Sequence, residues 1–310
     1  MAVSLSNAKE QFFNIMRDLT VQDKRQFLSF IIQEWQPQSF NYEIESELED
    51  SDDVLEDPIF ALNCIADDIK KIVPFDATFP SENIRTPKLG ENSDCLPSST
   101  MHVDGFLYTD EDLSELEKSG EFKKYYCATC GSKNLQSYII ISHSMSRDEL
   151  YHIFNSLLPT LEEKTVLDIG SRLGAVVYGA YVFTDARKII GVEMNKDLCN
   201  LQSTIMQKYK MANRIEILNK RIEEASDVVN NSDVIIINNS FEFYLSVSEQ
   251  TEVWTFLKNN IRKGTLLVIR PVIEAALKNL QTGIVINEWL RPYTIVDDPK
   301  FDDIACYEVI

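Results

Sequence analysis

No apolar run in this 310-residue chain approaches the ~20 residues that a membrane-spanning helix needs. The first 13 residues also lack the basic flank, apolar stretch and small-residue cleavage site of a secretory signal. Both absences point to a soluble protein of the cytosol or nucleus, with no membrane partner. Histidine is scarce: the three residues His102, His143 and His152 have no catalytic spacing, and the chain contains no Ser-His-Asp or metal-hydrolase motif. Basic residues are outnumbered 49 to 30 by acidic ones. The imbalance is local, since residues 1–160 hold 28 acids against 13 bases and residues 161–310 hold 21 against 17. Residues 43–57 contain nine carboxylates and no base, a composition that stays solvated and reads first as a solubilising linker. Such a segment repels a phosphate backbone and attracts basic peptides, which argues against broad nucleic-acid affinity.

What is present is a globular composition, 44% hydrophobic, in a chain long enough for one sizeable α/β core and an accessory region. Apolar residues at helical spacing within residues 6–35 predict two helices, and residues 58–73 predict a third with Pro58 in its first turn. Four prolines within residues 74–100 make an irregular connection. Residues 109–120 read as a short helix stopped by glycine and 138–141 as a strand, while Ser146 and Glu149 form a capping box for a helix that Pro159 ends. Strands then alternate with helices near 165–168, 188–193, 214–218, 233–238 and 264–269, the rhythm of a parallel sheet covered on both faces. Residues 284–286 and 304–309 are candidates for two last strands. The resulting division is a helical subdomain with its acidic linker (1–75), an irregular region (76–145) and an α/β domain (146–310).

In such a sheet, ligands sit outside the carboxyl ends of the strands. At the first tip, Asp168, Gly170, Ser171, Arg172 and Gly174 make an acid followed by a glycine turn that opens a helix, whose free N–H groups suit an anionic moiety. The dinucleotide pattern G-x-G-x-x-G is absent. At the second tip Glu193, followed by Met194, stands where an acid accepts two ribose hydroxyls. An ordinary turn beside a surface acid would use the same residues one at a time; the two tips together favour a nucleoside site.

The first tip resembles the class I S-adenosylmethionine-dependent methyltransferases, whose motif acid-x-Gly-x-Gly-x-Gly it matches at the acid and two of three glycines, with Arg172 in place of the middle one. The resemblance implies a Rossmann-like α/β fold with a seven-stranded sheet ending in an antiparallel hairpin. It also implies S-adenosylmethionine as cofactor, with Gly170 and Gly174 permitting close approach, Asp168 orienting the methionine amino group and Glu193 holding the ribose. The family's adenine-facing acid falls in register near Arg221, which can stack on a purine but not accept from it, leaving adenine to backbone groups and Ile222. At the fourth tip, Asn238, Asn239, Ser240 and Phe241 resemble the non-SET histone lysine methyltransferases of the disruptor-of-telomeric-silencing type, with Ser240 inserted before the aromatic. That likeness spans residues 161–275 and implies N-methylation of a basic protein, Asn238 and Asn239 orienting the amine while Phe241, Phe243 or Tyr244 excludes water. A small-molecule amine, or a catalytically inactive scaffold that kept the fold, are the competing readings.

Cys127 and Cys130 form a C-x-x-C knuckle, half of a tetrahedral zinc site, and the nearest completion is Cys95 with His102, or His143 on the far side. Structural zinc and plain buried thiols are equally good readings of the pair. Cys64, Cys199 and Cys306 lie in apolar-periodic contexts and read as core.

Overall fold

Pro58 opens the first helix of the computed structural model, α1 (Pro58–Lys70), at a position where a missing N–H costs nothing. The structure describes Leu55 and residues 57–310, apart from 88–92, 94, 130–133 and 295–297. The two helices read within residues 6–35 and nearly all of the acidic run 43–57 lie outside the described residues. Ala61, Leu62, Ile65, Ala66 and Ile69 share one buried face of α1, as a 3.6-residue period requires. β1 (Thr100–His102) leads to α2 (Asp110–Ser119), which opens on a Thr109/Asp112 capping box and stops at Gly120. β2 (Tyr125–Cys127) and β3 (Leu135–Ser137) form a small antiparallel ribbon, and β4 (Ile139–Ile141) pairs in parallel with β1. α3 (Arg147–His152) opens on the Ser146/Glu149 capping box and continues as one π-helical turn, Ile153–Leu157.

The sheet domain follows as β5 (Thr165–Ile169), α4 (Ala175–Phe183), β6 (Lys188–Glu193), α5 (Lys196–Lys208), β7 (Ile215–Asn219), α6 (Ser226–Asn231), β8 (Val234–Asn238), α7 (Val247–Asn260) and β9 (Leu266–Arg270). α8 (Ile273–Leu277), α9 (Ile286–Trp289), β10 (Leu290–Thr294) and β11 (Ala305–Val309) complete it. The seven strands lie in the order β7-β6-β5-β8-β9-β11-β10; the first five are mutually parallel and β11 is antiparallel to both its neighbours. This is a Rossmann-like α/β fold built on one seven-stranded sheet. Every residue of β5 is buried, and β8 is buried up to Asn238, because central parallel strands are covered on both faces. Leu167, Ile169, Ile235, Ile237, Trp254 and Leu267 belong to one core cluster beneath α7. Each fully buried side chain of this kind contributes about 1.5–3 kcal/mol.

One expected strand is corrected. Residues 284–286 are not a strand; α9 and β10 follow instead, because Trp289 and Leu290 are the residues drawn into the core while Ile284 and Ile286 are only partly buried. Pro292 within β10 is tolerated because that strand lies at the sheet edge, where a missing N–H breaks no ladder.

The elements before the sheet are bound to it by polar contacts. Tyr209 Oη and Lys208 Nζ reach Asp68 Oδ2 of α1 at 2.7 and 2.8 Å. Arg147 donates to Phe106 O, Leu107 O and Asn63 Oδ1 at 2.6–3.0 Å, joining α1, the 104–108 loop and α3. Among the described residues no helix is long and apolar enough to cross a membrane.

Candidate active site

The strand order reverses at the β5/β8 boundary, so the loops leaving these two strands diverge and open a crevice between them. A cavity of about 210 Å³ occupies it. At its floor Gly170, at φ +76°, donates its N–H to Val192 O at 2.8 Å. A Cβ there would meet Ser240 at 2.9 Å, so the two loops touch only because residue 170 is glycine. Gly174, at φ +91°, caps α4, and its missing Cβ leaves room for the Tyr178 ring 2.6 Å from where that atom would stand.

Arg172 also adopts a left-handed conformation, φ +45°, and its N–H donates to Glu193 Oε2 at 3.0 Å. Its guanidinium is buried and fully engaged: Nη1 donates to Asp104 Oδ2 at 2.8 Å, Nε to Glu82 Oε1 at 3.0 Å and Nη2 to Ala77 O at 2.5 Å. The side chain that replaces the expected glycine is thus held by carboxylates from the segment preceding the sheet domain. Ser81, Glu82 and Asn83 from that segment line the cavity as well. Ser81 Oγ donates to Asp197 Oδ2 at 2.6 Å, and Arg85 donates its N–H to Phe243 O at 2.7 Å, so residues 81–85 run from the β6 side of the cleft to the β8 side.

Glu193, buried at the tip of β6, accepts N–H bonds from Arg172 and from Asn195 at 3.0 and 2.7 Å. A carboxylate offers about four lone-pair sites, so two remain for a ligand. Burial raises its pKa, and the two backbone N–H groups partly oppose the rise. Asp168 is 2% exposed and its Oδ2 has no partner among the described residues; burial first, then the charge of Glu193, push its pKa well above the usual carboxylate range. Asp168, Ser171 and Gly174 stand behind the cavity wall, whereas Gly170, Arg172, Glu193, Met194, Arg221, Ile222, Asn238, Asn239 and Phe241 line it. Arg221 Nη2 lies 3.1 Å from Glu223 Oε1, and Glu223 itself lines the cavity two positions beyond the expected register.

At the β8 tip Asn239 sits at φ +47° and donates its N–H to Arg270 O at 2.7 Å, while Ser240 Oγ donates to Ile169 O at 2.6 Å. Phe241 packs edge-on against Trp254 with ring centroids 5.6 Å apart. Residues 238–241 also line a second, larger cavity of about 1260 Å³, walled by Ile140, Phe243, Trp254, Arg270 and Lys278. The two cavities therefore meet at Asn238 and Asn239.

Sequence reasoning misses Glu82 and gives His143 no part in the cleft, yet both line the smaller cavity, as does Tyr244. The one available signal was Arg172 itself, since a buried guanidinium demands carboxylate partners. Completion of a zinc site by Cys95 and His102 finds no support among the described residues. Cys95 is buried beside Ile141 and Phe243, His102 Nδ1 is taken by His143, and among the described residues no group of three or more His, Cys, Asp or Glu is placed to hold a metal. Cys127 donates its thiol to Thr129 O at 2.6 Å, and Cys130 lies outside the described residues. Cys199 and Cys306 are buried and Cys64 is half-buried.

No protein-family model and no curated protein matches the chain. Among solved structures it is similar to an RNA methyltransferase from Salinibacter ruber in complex with S-adenosyl-L-homocysteine, at 17% identity over 52% of this chain and 86% of that one, with a TM-score of 0.35. It is also similar to precorrin-6y C5,15-methyltransferase from Geobacter metallireducens, at 11% identity over 59% and 92%, TM-score 0.37. A cyclopropane synthase from Mycobacterium tuberculosis aligns at 16% identity over 39% and 40%, TM-score 0.34.

Proposed function

We propose that this chain is an S-adenosylmethionine-dependent methyltransferase that methylates nitrogen, with a lysine-type amine of a basic protein as acceptor. The observation that carries the reading is Glu193, buried at the β6 tip, facing the crevice at the sheet's switch point with two free lone-pair sites for ribose hydroxyls. The Gly170 turn supports close approach of the methionine portion, and Ile222 with Glu223 supports adenine at the β7 end. Neither zinc nor another metal is part of this reading, because methyl transfer from a sulfonium draws on proximity and in-line alignment.

Asn238 and Asn239, at the junction of the two cavities, are placed to orient the acceptor nitrogen toward the methyl group. The size of the outer cavity favours a polymer side chain over a small amine, and the acidic composition of residues 1–160 favours a basic partner. Calorimetry with S-adenosylmethionine and S-adenosylhomocysteine tests the core of the proposal. Binding of both, weakened by Glu193→Ala, supports it. Binding of neither by the intact protein sinks it and favours a scaffold that kept the fold.

A further inference from the structure

Pairing of β1 with β4 sets His102 opposite Ile141 and brings the two imidazoles of His102 and His143 together. The rings stack with centroids 5.0 Å apart, and His102 Nδ1 lies 2.9 Å from His143 Nε2. His143 is 8% exposed, lines the smaller cavity and has an Nδ1 with no partner among the described residues. Its carbonyl accepts from Asn238 Nδ2 at 3.4 Å, which ties it to the residue placed to orient the acceptor. Phe243 and Tyr244 meet the ring edge-on at 5.2 and 5.6 Å, so it cannot slide away from the cleft.

We infer that His143 is a catalytic residue: it takes the proton shed by the newly methylated nitrogen on Nδ1 and passes its own Nε2 proton to His102, which releases one to water. This rests on the methyl-transfer reading. The acceptor nitrogen forms its bond to the methyl carbon as the carbon–sulfur bond breaks, the sulfur keeping that electron pair. The nitrogen, now an ammonium, gives a proton to His143 Nδ1. His143 Nε2–H moves to His102 Nδ1, and His102, only half-buried, loses its Nε2 proton to solvent. Neither ring carries a net charge before or after the step, and the pair resets when product leaves and water enters.

The surroundings favour this neutral route. Burial first, then Arg172 and His102, lower the pKa of His143 to about 2, so an imidazolium does not persist there. His102 is lowered by burial foremost and by Arg172, with Asp76 and Glu82 opposing, and Tyr244 packs against His143 as a neutral phenol. Transfer between tautomers avoids the buried cation that transfer to an isolated His143 would create.

The full chain labelled with ¹⁵N-histidine tests the inference by two-bond proton–nitrogen correlation spectra, with His102→Gln and His143→Gln assigning the signals. The expected result is a neutral His143 with its proton on Nε2 and a bare Nδ1 from about pH 6 to 8.5, in the free protein and with S-adenosylhomocysteine bound. A proton on Nδ1 or a cationic ring overturns the inference. With mixed histones as the acceptor probe, His143→Gln is expected to slow methyl transfer about 100-fold and His102→Gln about 10-fold. S-adenosylmethionine affinity should change less than about three-fold in both. Unchanged transfer by His143→Gln overturns the relay. Wild-type protein that binds neither donor nor product overturns the methyltransferase reading and the relay with it, whereas bound donor with His143 protonated on Nδ1 overturns the relay alone.

Discussion

Two loops meet over the cleft, each with a non-glycine residue in the left-handed region: Arg172 at φ +45° after β5 and Asn239 at φ +47° after β8. They are held there by opposite means. Asparagine visits this region at little cost, and Asn239 needs only its N–H bond to Arg270 O at 2.7 Å. Arginine has no such tolerance and carries about 1–2 kcal/mol of backbone strain. Its conformation is offset by the ion pairs to Glu82 and Asp104 and by the N–H bond to Glu193. The β8 loop is therefore shaped locally, while the β5 loop is shaped by residues far away in the chain. The cofactor half of the site thus depends on the segment before the sheet domain.

Asp104→Ala should break that dependence most severely, leaving the Arg172 guanidinium buried with one carboxylate fewer. A loss of about 3–5 kcal/mol is expected, read by urea unfolding, and a loss below 1 kcal/mol would show that Asp104 is dispensable to the network. Glu193→Ala should leave the β8 loop intact yet weaken S-adenosylmethionine binding about 10–100-fold, equivalent to about 1.4–2.8 kcal/mol by calorimetry. Asn239→Ala should cost about 1 kcal/mol while Asn239→Gly costs close to none, because only the alanine Cβ opposes the left-handed turn. Equal costs for the two would mean that the side-chain amide, and not the backbone conformation, holds this loop.

The smallest effect is a slope. Burial first, then Glu193, raise the native pKa of Asp168 above its unfolded value near 3.9. The folded protein then binds that proton more tightly, so this contribution to stability is full below about pH 3.9 and is lost as pH rises through the native pKa. Asp168→Asn removes the slope. Its melting temperature relative to wild type should be higher at about pH 7.5 than at about pH 4.5, and a constant difference would show that Asp168 is ionised in the folded protein across this range, as it is in the unfolded chain, so that its native pKa is not raised.

Much of this arrangement was legible without coordinates. The apolar runs of β5, β6 and β8 announce buried parallel strands, and parallel strands deliver their C-terminal ends to one edge, which is why Gly170, Glu193 and Asn238 could be grouped before any distance was known. The capping box at Ser146 marked a helix start because its hydrogen bonds span only three residues. β10 was hidden because Pro292 interrupts its pattern and only its edge position excuses the proline.

Periodicity and turn chemistry are local, and the amino-acid sequence by itself determined what they govern: the alternation of strand and helix, the glycine turn after β5 and the acid at the β6 tip. The tertiary structure alone decided where the Arg172 side chain goes, that Glu82 enters the cleft, and that His102 and His143 form a pair. Those contacts join residues 90, 68 and 41 positions apart for Arg172–Glu82, Arg172–Asp104 and His102–His143. Partners at such separations are chosen by packing, as buried charges and ring nitrogens find whatever complementary groups the closed chain brings within hydrogen-bond reach.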